Sequence, residues 1–472
     1  MIKTKKFELA LCIGTVLLAC VLLVSHTYND LLVTTRHGIN FWNILKDGKF
    51  LEFYKVNRMA SGNVYYDVVQ GCAYNILVYI VFAIWNLPLY LLERFAGVDV
   101  MNTIPCLVYS KLLIVAGMGI TVLLLKKILE DLKVPETCHS LMLYLYGSST
   151  LLLTVIFITG QYDVFSLIFQ LLGFRAFLKG RDKAFALWFG VAFCFKYFAA
   201  LIFLPLLLLR HKKVFAWIKQ LVILMVPLLL TKLPFLLYSI FSPSAATGGG
   251  GGSGGAKLAG GLLYDVFSSS NVNIQVNIFV LAYAAILVWC YLQDDRAERR
   301  GHCGVWSCML AYAAFFSLTD TYQYWMILLA PFVTLAIAMA PKQLYLNMIL
   351  ETVGYAGLVG TGMLRYSQIY FGRTLKPMIW SRLLAGSPFD VGYSGSAVYG
   401  LIAGFRKHYD IHAVVNSFFV AALIALAYTT YPNRSGAVVK KLPASEEYRD
   451  VLVVRFLINA IICLLPIIAV FV

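Results

Sequence analysis

Runs of about twenty apolar residues recur along the whole chain, each long enough to cross the ~30 Å hydrocarbon core of a bilayer as a helix. No other feature restricts the fold so sharply. A backbone in lipid must satisfy its own hydrogen bonds, so it is either helical or closed into a barrel. Barrel strands alternate apolar and polar residues, and these runs do not. The reading is an all-α polytopic membrane protein of about 12–13 helices, a single integral membrane domain over residues 1–472. The chain is 60% hydrophobic and only 13% charged, against about 25% charged in soluble domains.

The formal net charge of +16 does not imply nucleic acid. Lys and Arg fall in short clusters between apolar runs, as the positive-inside rule and anionic headgroups require. The ten cysteines contain no CxxC pair and mostly sit inside apolar runs, where a buried free thiol is the ordinary state; only Cys72 and Cys106 fall where an outer-face disulfide could form. Lys3, Lys5 and Lys6 precede the first run, Phe7 to Val24, and keep the N-terminus cytoplasmic. That run is too long for a signal-peptide core, so it reads as an uncleaved anchor.

The charge rule then sorts the remaining runs. Ala73 to Leu92 is broken by Asn and Pro; reading it as an interfacial or re-entrant helix keeps Lys126, Lys127 and Lys133 cytoplasmic after the run Ile104 to Leu125. A first extracytoplasmic loop therefore covers residues 26–106 and carries interfacial helices. Phe185 to Leu209 has basic residues at both ends, which demands an even number of crossings, yet it is too short for two full ones at about 1.5 Å per residue. Two short helices broken near Lys196 meet both demands, and broken membrane helices are tolerated where they line a cavity. Residues 239–277 hold a Gly-rich tract that reads as a linker loop. Residues 364–412 form a second long outer segment containing Arg365 and Arg373, which could serve a phosphate group.

A few polar side chains stand where polarity is expensive. Lys196 lies in FCFKYFAALIFLP, and an ionisable residue in such a run is a functional candidate, against the alternative of a lysine that snorkels to the interface. Gln161, Tyr162 and Asp163 form a turn after Gly160. Asp320, Gln323, Tyr324 and Trp325 form a second polar and aromatic group on the same predicted face. Asp30 lies just beyond the first run in a polar stretch that also holds His37. No Walker loop, HExxH, GxSxG, zinc spacing or dinucleotide segment is present. No particular cofactor is indicated, and a divalent metal stays open without a ligand pattern to support it.

Four stretches resemble the GT-C superfamily of glycosyltransferases: Asp30 after the first span; FWNILKDGKFLEFY followed by AYNILVYIVFAI; the block from GQYD through FCFKYFAALIFLP; and TYQYWMILLAPF. The similarity covers roughly Phe7 to Met339 and is most like bacterial mannosyltransferase-like members. The DXD or DE pair of some members is absent, because Asn29 precedes Asp30, and the usual YPP is replaced around Cys72 to Asn75. The resemblance implies transfer of a hexose from a polyprenyl-phosphate donor at the extracytoplasmic face of the cell membrane. The acceptor would be a cell-surface polysaccharide, teichoic acid or glycolipid. It implies Asp30 as general base in an inverting displacement, and Lys196, Arg365 and Arg373 as cations for the donor phosphate. Gln161, Tyr162, Asp163, Asp320, Gln323, Tyr324, Trp325 and His37 would contact substrate. The competing readings are a flippase or transporter of lipid-linked sugars, which predicts internal repeats that are not evident, and a polysaccharide polymerase or ligase, which the basic 364–412 segment favours.

Overall fold

The computed structural model describes residues 2–60, 72–241, 277–294, 297–319, 321–340, 343–365, 370, 375–379, 400–401, 404, 411–432 and 445–471. Asp320, Arg373, most of the Gly-rich stretch and most of residues 364–412 lie outside them. The described chain is almost wholly helical, as the apolar runs predict. Five helices are long and apolar enough to cross a membrane, or up to seven if each of two bent pairs is one span, and four shorter apolar helices accompany them.

The first span, α1 (Ile2–Ser25), leads through a short strand, β1 (His26–Tyr28), into α2 (Asn29–Lys46). The polar stretch after the first run is therefore mostly an amphipathic helix. It is followed by α3 (Phe53–Ala60), α4 (Ile76–Trp85) and α5 (Leu87–Ala96). The Asn75 side chain caps α4 by accepting from Leu77 N at 3.0 Å, satisfying one of the donors a helix N-terminus leaves open. α4 and α5 meet at Asn86 with a bend of 61°; Pro88 in the first turn of α5 fits a helix start and not a helix interior. The Ala73 to Leu92 run is thus broken where its Asn and Pro stand. α2 is fastened to this pair by Trp42 Nε1 donating to Ala83 O at 2.8 Å and by Arg36 with Glu93 at 2.6 Å.

The helices α6 (Ile104–Asp131), α7 (Glu136–Gly147), α8 (Thr150–Leu152, continuing as a π-helical turn over Leu153–Ile158) and α9 (Asp163–Leu178) come next. They are followed by α10 (Asp182–Phe195), α11 (Ala199–Arg210) and α12 (Val214–Phe241). α9, α10 and α12 pack closely. A Cβ at Gly173 would come within 2.5 Å of the Phe189 ring, and one at Gly190 would meet the backbone of Leu224. Small residues that let helices approach are the usual device in lipid, where no hydrophobic force favours helix association.

The remaining described elements are α13 (Ile278–Leu292), α14 (Ala297–Leu318), a 3-10 helix over Gln323–Leu328, α15 (Ala330–Ala338), α16 (Leu344–Arg365), β2 (Leu375–Pro377), α17 (Ile411–Thr429) and α18 (Arg449–Phe471). β2 pairs antiparallel with β1, Thr27 opposite Lys376. All ten cysteines are free, Cys72 and Cys106 included.

Candidate active site

Asp30 owes its position to the way α1 ends. β1 carries the chain from the last turn of α1 to Tyr28, which is extended at φ −102°, ψ 140° and starts α2. Asp30 then falls in the first turn of α2, where the helix dipole favours a negative charge. Tyr162 donates its hydroxyl to Asp30 Oδ2 at 3.0 Å, and Tyr74 donates to the same oxygen at 3.4 Å. The two tyrosine rings meet edge to face, 5.0 Å apart. Asp30 keeps part of its surface open, yet the protein packs densely around its carboxylate. Loss of water is the main effect and raises its pKa to about 6; Asp163 adds to the rise, while the hydroxyls of Tyr162 and Tyr74 and the charge of Lys196 oppose it. A carboxylate poised near neutrality suits proton abstraction better than one near 4.

The turn that supplies Tyr162 and Asp163 is built from a local irregularity. The π-helical turn over Leu153–Ile158 ends at Gly160, which has φ +61°, a left-handed conformation that glycine adopts without steric cost. Gln161 N closes the turn onto Val155 O at 3.0 Å. A Cβ on Gly160 would meet Leu31 Cδ2 at 2.9 Å, so the turn lies against α2 one residue past Asp30. π-Helical turns inside helices often mark functional positions. Gln161 is buried, and its Nε2 has no hydrogen-bond partner among the described residues.

Opposite this turn the helical run containing Lys196 breaks, as its basic flanks require. α10 ends at Phe195, Lys196 is extended at φ −151°, ψ 120°, and α11 starts at Ala199. Lys196 Nζ lies 3.2 Å from Asp163 Oδ1 and 4.3 Å from the centre of the Trp325 ring. Lys196 and Asp163 are 8% and 3% exposed. A buried ammonium needs a counter-charge, because uncompensated ions cost several kcal/mol; the tryptophan face adds an attraction of about 0.5–2 kcal/mol. The pair is incompletely satisfied, since Asp163 Oδ2 has no hydrogen-bond partner among the described residues. A small cleft opens here, lined by Tyr74, Asn75, Phe195, Lys196 and Tyr197 among others. One wall therefore carries Lys196 and the other Tyr74, the hydroxyl that reaches Asp30.

The 3-10 helix over Gln323–Leu328 brings in the aromatic group. Tyr322 and Tyr324 stack at 5.3 Å, Tyr324 lies 6.1 Å from Tyr28, and Trp325 carries Lys196. Gln323 is buried, its side chain against Gly362. The structure thus gathers Asp30, Tyr162, Asp163, Lys196, Tyr324 and Trp325 around one region. His37 stands apart, two turns along α2 from Asp30 or roughly 10 Å, edge-on to Tyr79 at 5.7 Å. Arg365 is exposed as the last residue of α16. Tyr74 and Tyr28 belong to the site although sequence reasoning passed over them. Tyr74 stands in the segment that replaces YPP, and that position was the available signal. Among the described residues no three His, Cys, Asp or Glu side chains converge closely enough to hold a metal ion.

The sequence profile of the EpsG family matches residues 108–351, just over half of the chain. No curated protein and no solved structure matches it. The matched segment contains the Gln161–Asp163 turn, Lys196 and Gln323–Trp325, whereas Asp30 and Tyr74 precede it. This chain belongs to the EpsG family, a family of membrane proteins of glycosyltransferase-like or polymerase character related to GT-C enzymes.

Proposed function

We propose that the protein is an inverting glycosyltransferase that moves a hexose from a polyprenyl-phosphate donor to a glycan or glycolipid acceptor at the extracytoplasmic face. The observation that carries this reading is the pairing of a carboxylate poised near pH 6 with an incompletely satisfied Lys196–Asp163 pair at an open cleft. Asp30 accepts the proton of an acceptor hydroxyl. The acceptor oxygen attacks the anomeric carbon, the C1–O bond to the lipid phosphate breaks, and the phosphate leaves with that electron pair. Lys196 meets the negative charge that develops on the leaving group, which is where electrostatic catalysis gains most. Asp163 holds the lysine in place. Within the aromatic group of Tyr28, Tyr322, Tyr324 and Trp325, Tyr322 is exposed and offers a ring face of the kind a sugar packs on.

Membership of the EpsG family favours one variant of this reading, a polymerase whose acceptor is itself a lipid-linked glycan. The proton transfer at Asp30 is the same in both. The deciding assay uses purified protein in lipid nanodiscs with radiolabelled polyprenyl-phosphate hexose and an added acceptor. Label should move to the acceptor, with products lengthening on repeated turnover if the protein polymerises. If no label moves, while proteoliposomes carry the lipid-linked sugar across the bilayer, the protein is a transporter and the reading is wrong.

A further inference from the structure

One fully buried cation takes no part in the mechanism above. Lys111, in the first third of α6, is wholly enclosed. Its Nζ donates to Leu22 O at 3.2 Å, Leu23 O at 3.2 Å and His26 O at 2.7 Å. An ammonium has three donors, and here each meets a carbonyl. Two of those carbonyls belong to the last turn of α1, which a helix end leaves without intrahelical partners, and the third belongs to β1. A cation is the favoured group at that end of the helix dipole.

Four facts place this contact behind the site. The carbonyls that Lys111 holds lie between four and eight residues before Asp30, on the segment that sets where α2 begins. On the other side of that segment β2 pairs with β1, and Met378 N donates to Ser25 O at 2.8 Å. Leu31, the residue after Asp30, touches the position a Cβ of Gly160 would occupy, and Lys111 Cγ lies 3.7 Å from the same point. Lys111 therefore backs the Asp30 turn and the Gly160 turn that presents Tyr162 and Asp163.

We infer that Lys111 is a positioning residue: by clamping the end of α1 it fixes the distance of the Asp30 carboxylate from Tyr162 and from the Lys196–Asp163 pair. The inference rests on Asp30 being the base. Lys111 does not touch the cleft, so it acts through geometry. Removing its three hydrogen bonds frees the Leu22–Tyr28 backbone, and the carboxylate shifts relative to an acceptor held elsewhere. A displacement of about 1 Å at a reacting group costs on the order of 100-fold in rate.

The test uses the full chain in nanodiscs and normalises activity to folded protein. Lys111→Met should lower kcat about 30-fold or more, with KM within about threefold because the donor contacts are untouched. The acid limb of its pH profile should move off the midpoint near 6 that the Tyr162 contact helps to set. Lys111→Arg, which also presents several donors, should recover most of the loss. If Lys111→Met reduces only the yield of folded protein, with kcat and the pH midpoint per folded molecule unchanged, the residue is merely structural and the inference fails. Should Lys111→Met not accumulate, Lys111→Gln carries the same two outcomes. Asp30→Asn separates this from the underlying reading: full activity there removes the base assignment itself, whatever Lys111 does.

Discussion

Among the described residues, two ion pairs lie buried between helices, each beside a broken helical run, and they differ in how completely they are satisfied. Arg455 of α18 pairs with Glu351 of α16, and both side chains are 1% exposed. The guanidinium also donates to Thr352 Oγ1 at 3.0 Å, Ser148 Oγ at 3.0 Å and Leu145 O at 2.6 Å, and both Glu351 oxygens are used. Asn459 adds a bond to Ser148 O at 2.6 Å. These groups fill the 46° bend between α7 and α8 and satisfy the backbone that it frees. The Lys196–Asp163 pair at the break between α10 and α11 has one contact between its charged groups, an aromatic ring under the cation and a buried carboxylate oxygen with no partner among the described residues, and its lysine lines a cleft. A saturated network fixes structure. On the proposed function, the unsaturated pair is the one that meets the substrate.

The comparison breaks if the two pairs respond alike to mutation. Arg455→Met should leave Glu351 buried without a counter-charge and cost about 3–5 kcal/mol of stability. The readout is the melting temperature and the yield of monodisperse protein, with activity per folded molecule preserved. Lys196→Met should do the reverse, lowering kcat/KM by about 100-fold with less loss of folded protein than Arg455→Met. Equal destabilisation with unchanged turnover would make Lys196 structural as well.

Acidity sharpens the contrast further. Burial raises the pKa of Asp30 to about 6, so the base is protonated below that pH and free above it. Turnover should rise with pH and level off above about 7, falling nearly tenfold for each unit below the midpoint. An ordinary carboxylate would give a midpoint near 4. Tyr162→Phe removes a hydroxyl that stabilises the charged form, so the midpoint should move to higher pH, with a several-fold loss of rate at pH 6. The smallest effect is expected at Arg36 and Glu93, whose side chains are 24% and 33% exposed. Arg36→Gln should cost less than about 1 kcal/mol and leave turnover intact.

How much of this was legible in the sequence varies with the range of the contacts. The helical membrane class follows from the length of the apolar runs and their lack of strand alternation. The break at Lys196 follows from charge at both ends of a run too short for two crossings. Asp30 stood out because it lies just beyond the first span at the position the GT-C resemblance marks, and the Gly160–Asp163 turn because it joins two apolar runs with polar residues. Contacts between distant residues left no such mark: Tyr74 donates to Asp30 from 44 positions away, and Arg455 pairs with Glu351 across 104. The strand pairing of His26–Tyr28 with Leu375–Pro377 rests on three residues each side, too few for a period to show. Lys111 is different. It stands in YSKLLIVAG much as Lys196 stands in its own run, and the same cost argument applied to it. A lysine near the start of a long span can also reach the interface, and nothing local in the sequence distinguishes that from the inward turn to three carbonyls that the structure shows.

Everything proposed for the site turns on Asp30 as the base opposite Lys196. The most direct measurement is single-turnover transfer from radiolabelled polyprenyl-phosphate hexose by Asp30→Asn protein, compared with the parent across pH 5 to 8. The substitution keeps the shape and the hydrogen-bond acceptor for Tyr162 but cannot take a proton. Donor binding should stay close to that of the parent and transfer should fall by about 1,000-fold or more, with no dependence on pH around 6. Transfer within a few-fold of the parent, with the acid limb still present, would contradict the assignment of Asp30 as the base.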